Sequence, residues 1–195
     1  MDESSPGVTT SPPAAKTDIA LIAYGGFVSA ELAIWLAAHG KRAVNVFAVN
    51  RRDVRCARNE ACARFLSAGS EVLVMINHDL VLPPDFLGPF EVGSADVVTG
   101  HVGGPDGEYH PGGHGTGIIA IRRRVLVALE SPWFRPPQYS PSGVEWTACE
   151  CQEFEARAKA KGFLFAWWKQ GLGHRHVHDW PAPVPADPPP PAPVS

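Results

Sequence analysis

The sequence predicts an α/β protein, a three-layer sandwich around a mostly parallel central sheet. Three observations carry this. Short apolar, β-branched runs alternate along the chain with segments of helical period. Apolar residues make up 45% of the 195, enough to bury a core and to exclude wholesale disorder. The 20 prolines gather at the ends: Pro6, Pro12 and Pro13 precede residue 17, and eight more follow Trp180. Residues 1–16 therefore read as a disordered tail, 17–178 as a single folded domain, and 179–195 as a Pro-rich tail of polyproline character.

The elements follow in order. Residues 18–24, DIALIAY, form a buried strand ending at Gly25-Gly26. Ser29 caps a helix that runs to about His39, with Gly40 just past its end. Residues 43–50, AVNVFAVN, give a second strand. Residues 53–68 place Val54, Ala57, Ala61, Phe65 and Leu66 at helical spacing, and Gly69 stops that helix. EVLVMIN at 71–77 is the strongest strand, delivering the polar triplet Asn77-His78-Asp79. Pro83-Pro84-Asp85 opens a turn or short helix. Strands follow at 95–100 and 116–123, then a short helix from Val125. Residues 149–161 form a helix stopped by Gly162, and FLFAWW at 163–168 is the last strand. Eight of the 19 glycines fall between Gly100 and Gly117, a long loop of the kind that carries function.

Composition excludes several classes. The net charge of -3 removes bulk attraction to nucleic acid. Residues 19–38 are long enough to span a bilayer, but Gly25-Gly26, Ser29 and Glu31 interrupt them, so no transmembrane segment is expected. Cys56, Cys62, Cys149 and Cys151 lack the spacing of a disulfide framework, and with no basic n-region ahead of residue 19 in the usual place, no signal peptide is expected. Reduced cysteines in a cytoplasmic protein are expected.

The chemistry concentrates at Asn77-His78-Asp79. In open α/β sheets ligands bind beyond the carboxyl ends of the strands, where this triplet falls. A carboxylate there suits a hard divalent cation bridging a diphosphate. A solvated turn that happens to hold an acid is the simpler alternative.

The succession ALIAYGGFVSAEL, DVRCARNEACARFL, EVLVMINHDLVLPPDFL, ADVVTG, GTGIIAIRRRVL, PWF, ECQEFEARAKAKGF and a final Gly-His resembles GT-A fold glycosyltransferases, close to the family 2 nucleotide-sugar transferases. The likeness spans residues 18–176. It implies a GT-A fold, a UDP- or GDP-sugar donor, an unknown acceptor, and manganese or magnesium as cofactor. Ala23, Tyr24 and Gly25 match the strand end near the nucleotide base. Arg58 and Asn59 match a pair near the nucleotide and its phosphates. An anchoring role for Arg58 stays open. Asn77, His78 and Asp79 fall on the DxD position, with Asn77 in place of the first acid and Asp79 kept as the metal-ligating one. Gly115, Thr116 and Gly117 match the segment beside the acceptor. Trp133 and Phe134 match the family's aromatic pair, with core packing as the other reading. His174, after Gly173, matches a position that ligates metal or contacts phosphate.

The largest departure is at Glu150-Cys151. The family has Glu-Asp there, and its Asp is the general base of inverting members. A thiol is a poor replacement at neutral pH. The role passes to Glu150 at the same helix start, with Glu153 a weaker candidate.

Other features hold open alternatives. His174, His176 and His178, with Cys149 and Cys151, also suit a zinc site. His101, His110 and His114 lie in the glycine-rich loop, in contact with substrate or solvated. Arg122-Arg123-Arg124 either meets an anionic group or starts a solvated helix. A catalytically inactive, nucleotide-sugar-binding descendant is the main rival to the enzyme. A homo-oligomer is compatible with so short a core.

Overall fold

The structure of the protein, a computed structural model, describes residues 15–23, 28–51, 53–102, 116–136, 138–139 and 146–174. Tyr24, Gly25, Gly115 and the histidines His110, His114, His176 and His178 lie outside them.

The elements in chain order are β1 (Thr17–Ala23), α1 (Ala30–His39), β2 (Asn45–Asn50), α2 (Val54–Ser67), β3 (Val72–Asn77), β4 (Leu80–Val81), β5 (Val97–Val102), β6 (Thr116–Arg122), α3 (Arg123–Ala128), β7 (Gln138–Tyr139), β8 (Trp146–Ala148), α4 (Glu150–Ala160) and β9 (Phe165–His174). Seven of the strands form one sheet in the order β2-β1-β3-β6-β5-β9-β4. β1 pairs parallel with β2 and β3, and β5 with β9. β6 runs antiparallel to both β3 and β5, and β4 antiparallel to β9. Five strands thus share one direction, and β6 and β4 oppose them.

Helices cover both faces, which explains why the central strands read as continuous apolar runs rather than alternating ones. Successive side chains of a strand point to opposite faces. On one face Ala20, Ile22, Leu73 and Met75 pack with Ala57, Ala61 and Phe65 of α2, Val125 and Leu126 of α3 and Phe154 of α4. On the other, Ile19, Leu21, Val72, Val74 and Ile76 pack with Leu32 and Trp35 of α1 and with Leu82, Phe86 and Val92 of the connection after β4. This is the predicted three-layer sandwich.

Boundaries follow local chemistry. Ser29 Oγ accepts the amide of Leu32 at 3.1 Å and starts α1. Asp53 Oδ1 accepts the amides of Arg55 at 2.8 Å and Cys56 at 3.4 Å and starts α2. Beyond α4, Gly162 sits at φ 84, a left-handed position that costs glycine little.

Several expectations shift. The buried stripe of α2 is Ala57, Arg58, Ala61, Cys62 and Phe65, while Val54 is 37% exposed. α3 begins at Arg123, two residues early, so the arginine run straddles a strand end and a helix start. β9 extends past Trp168 to His174, and β4, β7 and β8 are additional short strands. Among the described residues, no helix is long and apolar enough to cross a membrane.

Candidate active site

The strand registers gather the expected site at one edge of the sheet. Ala23 pairs with Asn50, and Ile22 with Asn77, at the carboxyl ends of β1, β2 and β3. β6 runs the other way, so its first residues reach the same edge: Ile118 faces Ile76, and Thr116 faces His101 at the end of β5. Thr116 and Gly117 therefore stand beside the Asn77 end. β4 then pairs Leu80 with His174 and Val81 with Gly173, bringing the last residue of β9 next to the residue after Asp79. Ala23, Asn77, His78, Asp79, Thr116, Gly117 and His174 are thus brought to one edge from distant parts of the sequence.

The Asn77–Asp79 turn is held by backbone. The His78 amide donates to Ile22 O at 3.1 Å, and its Nδ1 lies 3.3 Å from the same carbonyl. The Ser29 amide donates to His78 O at 2.8 Å, and Ser29 Oγ donates to Leu80 O at 3.0 Å. One serine therefore caps α1 and pins both ends of the turn. The positive end of the α1 dipole abuts the triplet as a result. Asn77, His78 and Asp79 are all part-exposed.

A second cluster forms where α2 meets the start of α4. Arg58 is 3% exposed. Its Nη1 donates to Glu150 Oε1 at 3.2 Å and to Cys151 Sγ at 2.6 Å, and its guanidinium lies 5.5 Å over the Phe134 ring. The Cys151 thiol also faces Glu150 Oε1 at 3.6 Å. Cys149 is the N-cap: its amide donates to Gln152 Oε1 at 2.9 Å, and its sulfur faces the Gln152 amide. The Cys149 thiol is lowered to about 6, first by the hydrogen bond from Cys151 and then by backbone amides of the first turn, against the opposing effect of burial. Cys149, Glu150 and Cys151 hold their ligand atoms within 4.8 Å of one another, the only such trio among the described residues. The guanidinium of Arg58 bonds two of the three, so a cation already occupies part of that electrostatic role.

This geometry revises several expectations. Arg58 and Asn59 face the 132–134 loop and α4 rather than an open phosphate site. Asn59 Nδ2 donates to Phe134 O at 2.8 Å, and the Phe134 amide donates to Asn59 Oδ1 at 3.1 Å. Trp133 and Phe134 are core residues, 8% and 1% exposed. Trp133 Nε1 donates to Leu126 O at 2.7 Å, and the Phe134 ring stacks on Phe154 at 4.8 Å between centroids. Neither presents a ring face to a sugar. Glu153 is committed elsewhere, to Arg157 at 2.7 Å and Arg135 at 3.7 Å.

Arg122, Arg123 and Arg124 lie at the opposite end of the sheet, because Arg122 pairs with Val72 at the start of β3. Arg122 binds the carbonyls of Ala95 and Gly93, Arg124 binds Asp96, and Arg123 binds the carbonyls of Phe65, Leu66, Ala68 and Ser70. Arg123 is thereby the cap of α2, whose last carbonyls have no partner inside the helix. Arg122 and Arg123 are thus committed to backbone carbonyls, while the Arg124 side chain stays 63% exposed beside Asp96.

Sequence reasoning missed the role of Cys149 and the link between Cys151 and Arg58. The visible signal was a Cys-x-Cys straddling a helix start.

No protein-family model matches the chain, and no curated protein matches it. Solved structures do match. A197 from STIV aligns over 80% of this chain and 83% of its own, with a TM-score of 0.54 at 19% identity. The catalytic domain of Drosophila β1,4-galactosyltransferase 7, solved with xylobiose, aligns over 83% of this chain and 71% of its own, with a TM-score of 0.52 at 17% identity. At these identities the likeness is one of fold. The chain has a GT-A-like fold.

Proposed function

We propose that the protein is a glycosyltransferase that moves a sugar from a nucleotide-diphosphate donor to an acceptor hydroxyl. The observation that carries this reading is the convergence of Asn77–Asp79, Thr116-Gly117 and the His174 end of β9 on one sheet edge, within a fold shared with a galactosyltransferase catalytic domain.

In this reading Ala23, Asn77 and His78 line the nucleotide side, with Tyr24 and Gly25 beyond the described residues. The Asn77 amide bonds a ribose hydroxyl, and the α1 N-terminus favours the diphosphate. The donor set suits manganese or magnesium: Asp79 is a hard oxygen ligand, the backbone of His174 pairs with Leu80, the residue after it, and the diphosphate itself supplies further oxygens. A cation bound there offsets the charge on the leaving diphosphate. Gly117 stands on the acceptor side, following Thr116 at the start of β6, with Gly115 beyond the described residues. Glu150 accepts the acceptor's proton, while Trp133 and Phe134 support the site from the core.

The test is release of free nucleotide from a panel of UDP- and GDP-sugars with manganese. The reading expects turnover that Asp79→Ala abolishes while the fold, followed by circular dichroism, is kept. A second reading, a binding descendant without turnover, is favoured by one observation: Glu150 is ion-paired to buried Arg58. Binding of donors with no nucleotide release on any of them would select it.

A further inference from the structure

We propose that Cys149 and Cys151 form a reactive dithiol that closes reversibly to a disulfide at the start of α4. The inference stands apart from the proposed transfer reaction, because it needs only the thiols and their surroundings. Four observations support it.

The two cysteines are one residue apart, at the N-cap and second position of α4, with their sulfurs within 4.8 Å. Both are part-exposed, so a small reagent reaches them. The thiol of Cys151 hydrogen-bonds the sulfur of Cys149, and amides of the helix start stabilise negative charge there, leaving Cys149 largely thiolate near neutrality. Finally, Arg58 donates to Cys151 Sγ, placing a buried cation beside the sulfur that must lose the second proton. Cys62 makes the contrast: it is fully buried in the core, and burial raises its thiol well above the usual range.

The oxidant is a small-molecule disulfide of the glutathione type. The Cys149 thiolate attacks one of its sulfurs, and the reagent's S–S bond breaks. One glutathione thiolate leaves and takes a proton, and a mixed disulfide remains on Cys149. Cys151 then gives up its proton and attacks the Cys149 sulfur, and the second glutathione leaves as a thiol. Two protein thiols are oxidised and one disulfide is reduced. Closing the ring draws Cys151 away from Arg58 and turns the first residues of α4, which carry Glu150.

The test uses the full chain and intact-mass spectrometry. Incubation with oxidised glutathione should remove two hydrogens and leave no adduct. Cys149 and Cys151 should then resist alkylation until a reductant is added. In Cys151→Ser, glutathione should stay on Cys149. Before oxidation, iodoacetamide near pH 6.5 should alkylate Cys149 about fivefold faster than an unstructured cysteine peptide, since a larger thiolate fraction outweighs its lower nucleophilicity. Glutathione that persists on Cys149 of the wild-type chain, or oxidation that spares both residues while Cys56 reacts, would overturn the proposal. None of these readouts requires turnover, so a failure of the transferase reading leaves them intact.

Discussion

Replacing Arg58 by Met tests whether this residue anchors α4 or serves a ligand. Arg58 is 3% exposed and Glu150 keeps 14% exposure. Removing one partner of a buried ion pair costs about 3–5 kcal/mol, because the other charge is stranded. Water can reach Glu150 in part, which places this pair near ~3 kcal/mol. Loss of the guanidinium from the Phe134 ring adds about 1 kcal/mol, partly recovered because Met keeps the aliphatic contact. The expected loss is therefore ~3–4 kcal/mol. With a urea slope of ~2 kcal/mol/M for a domain of this size, the unfolding midpoint should fall by about 1.5–2 M. Adding Glu150→Gln to Arg58→Met should restore about 2 kcal/mol, since the stranded charge is then removed. A midpoint that moves by less than about 0.3 M, with donor binding lost instead, would refute the anchoring role and return Arg58 to the phosphate side.

The remaining predictions follow from single contacts. Phe134→Ala should cost about 3–5 kcal/mol in urea unfolding, while Phe134→Leu should leave acceptor KM unchanged; a raised KM would restore the sugar-stacking role. Arg123→Ala strips the cap from α2 and should cost about 2–3 kcal/mol, read as a Tm lower by roughly 6–9 °C, with no change in anion binding at the sheet's other end. The folded-state Cys149 thiol is depressed from 9.0 to about 6, so its stabilisation is full above pH 9 and is lost as pH falls through 6. The Tm difference between the wild-type chain and Cys149→Ser should accordingly shrink between pH 9 and pH 6 and be flat below; a difference that grows toward acid would contradict the thiolate assignment.

How much of this was legible in the sequence depended on the range of the interaction. Ser29 announces its helix because the bond it makes is to an amide three residues away. β1 and β3 were legible because burial on both faces leaves an unbroken apolar run. β4 was not, since two residues ahead of Pro83 carry no periodicity and exist as a strand only through pairing with β9. The far end of β9 was hidden for the same reason: Lys169-Gln170-Gly171 breaks the apolar run, and the ladders with β5 and β4 supply what the sequence lacks. Charged residues were the least legible. Arg123 finds its carbonyls 53–58 residues away, and Arg58 finds Glu150 92 residues away. Nothing local separates such an arginine from one that meets a ligand.

Arg58, Glu150 and Cys151 are best understood together rather than one at a time. Arg58 is buried and requires an anionic partner, because an uncompensated guanidinium inside the core costs several kcal/mol. An Asp at position 151 would fill that need and leave Glu150 with one fewer claim on it. With Cys at 151, the carboxylate that compensates Arg58 is the neighbouring one, Glu150. The residue proposed to accept the acceptor's proton is therefore also the one that holds the helix in place. Those two tasks compete for one group. They are reconciled if the second Glu150 oxygen faces the acceptor while Oε1 stays with Arg58, or if the Cys149–Cys151 pair supplies the negative charge that Arg58 needs. The second route ties the protonation and oxidation state of the dithiol to the availability of Glu150. Placing an acid at this position with Cys151→Asp separates the tasks. Nucleotide release that rises in this variant under reducing conditions would show that the competition for Glu150 limits the reaction; unchanged release would show that it does not.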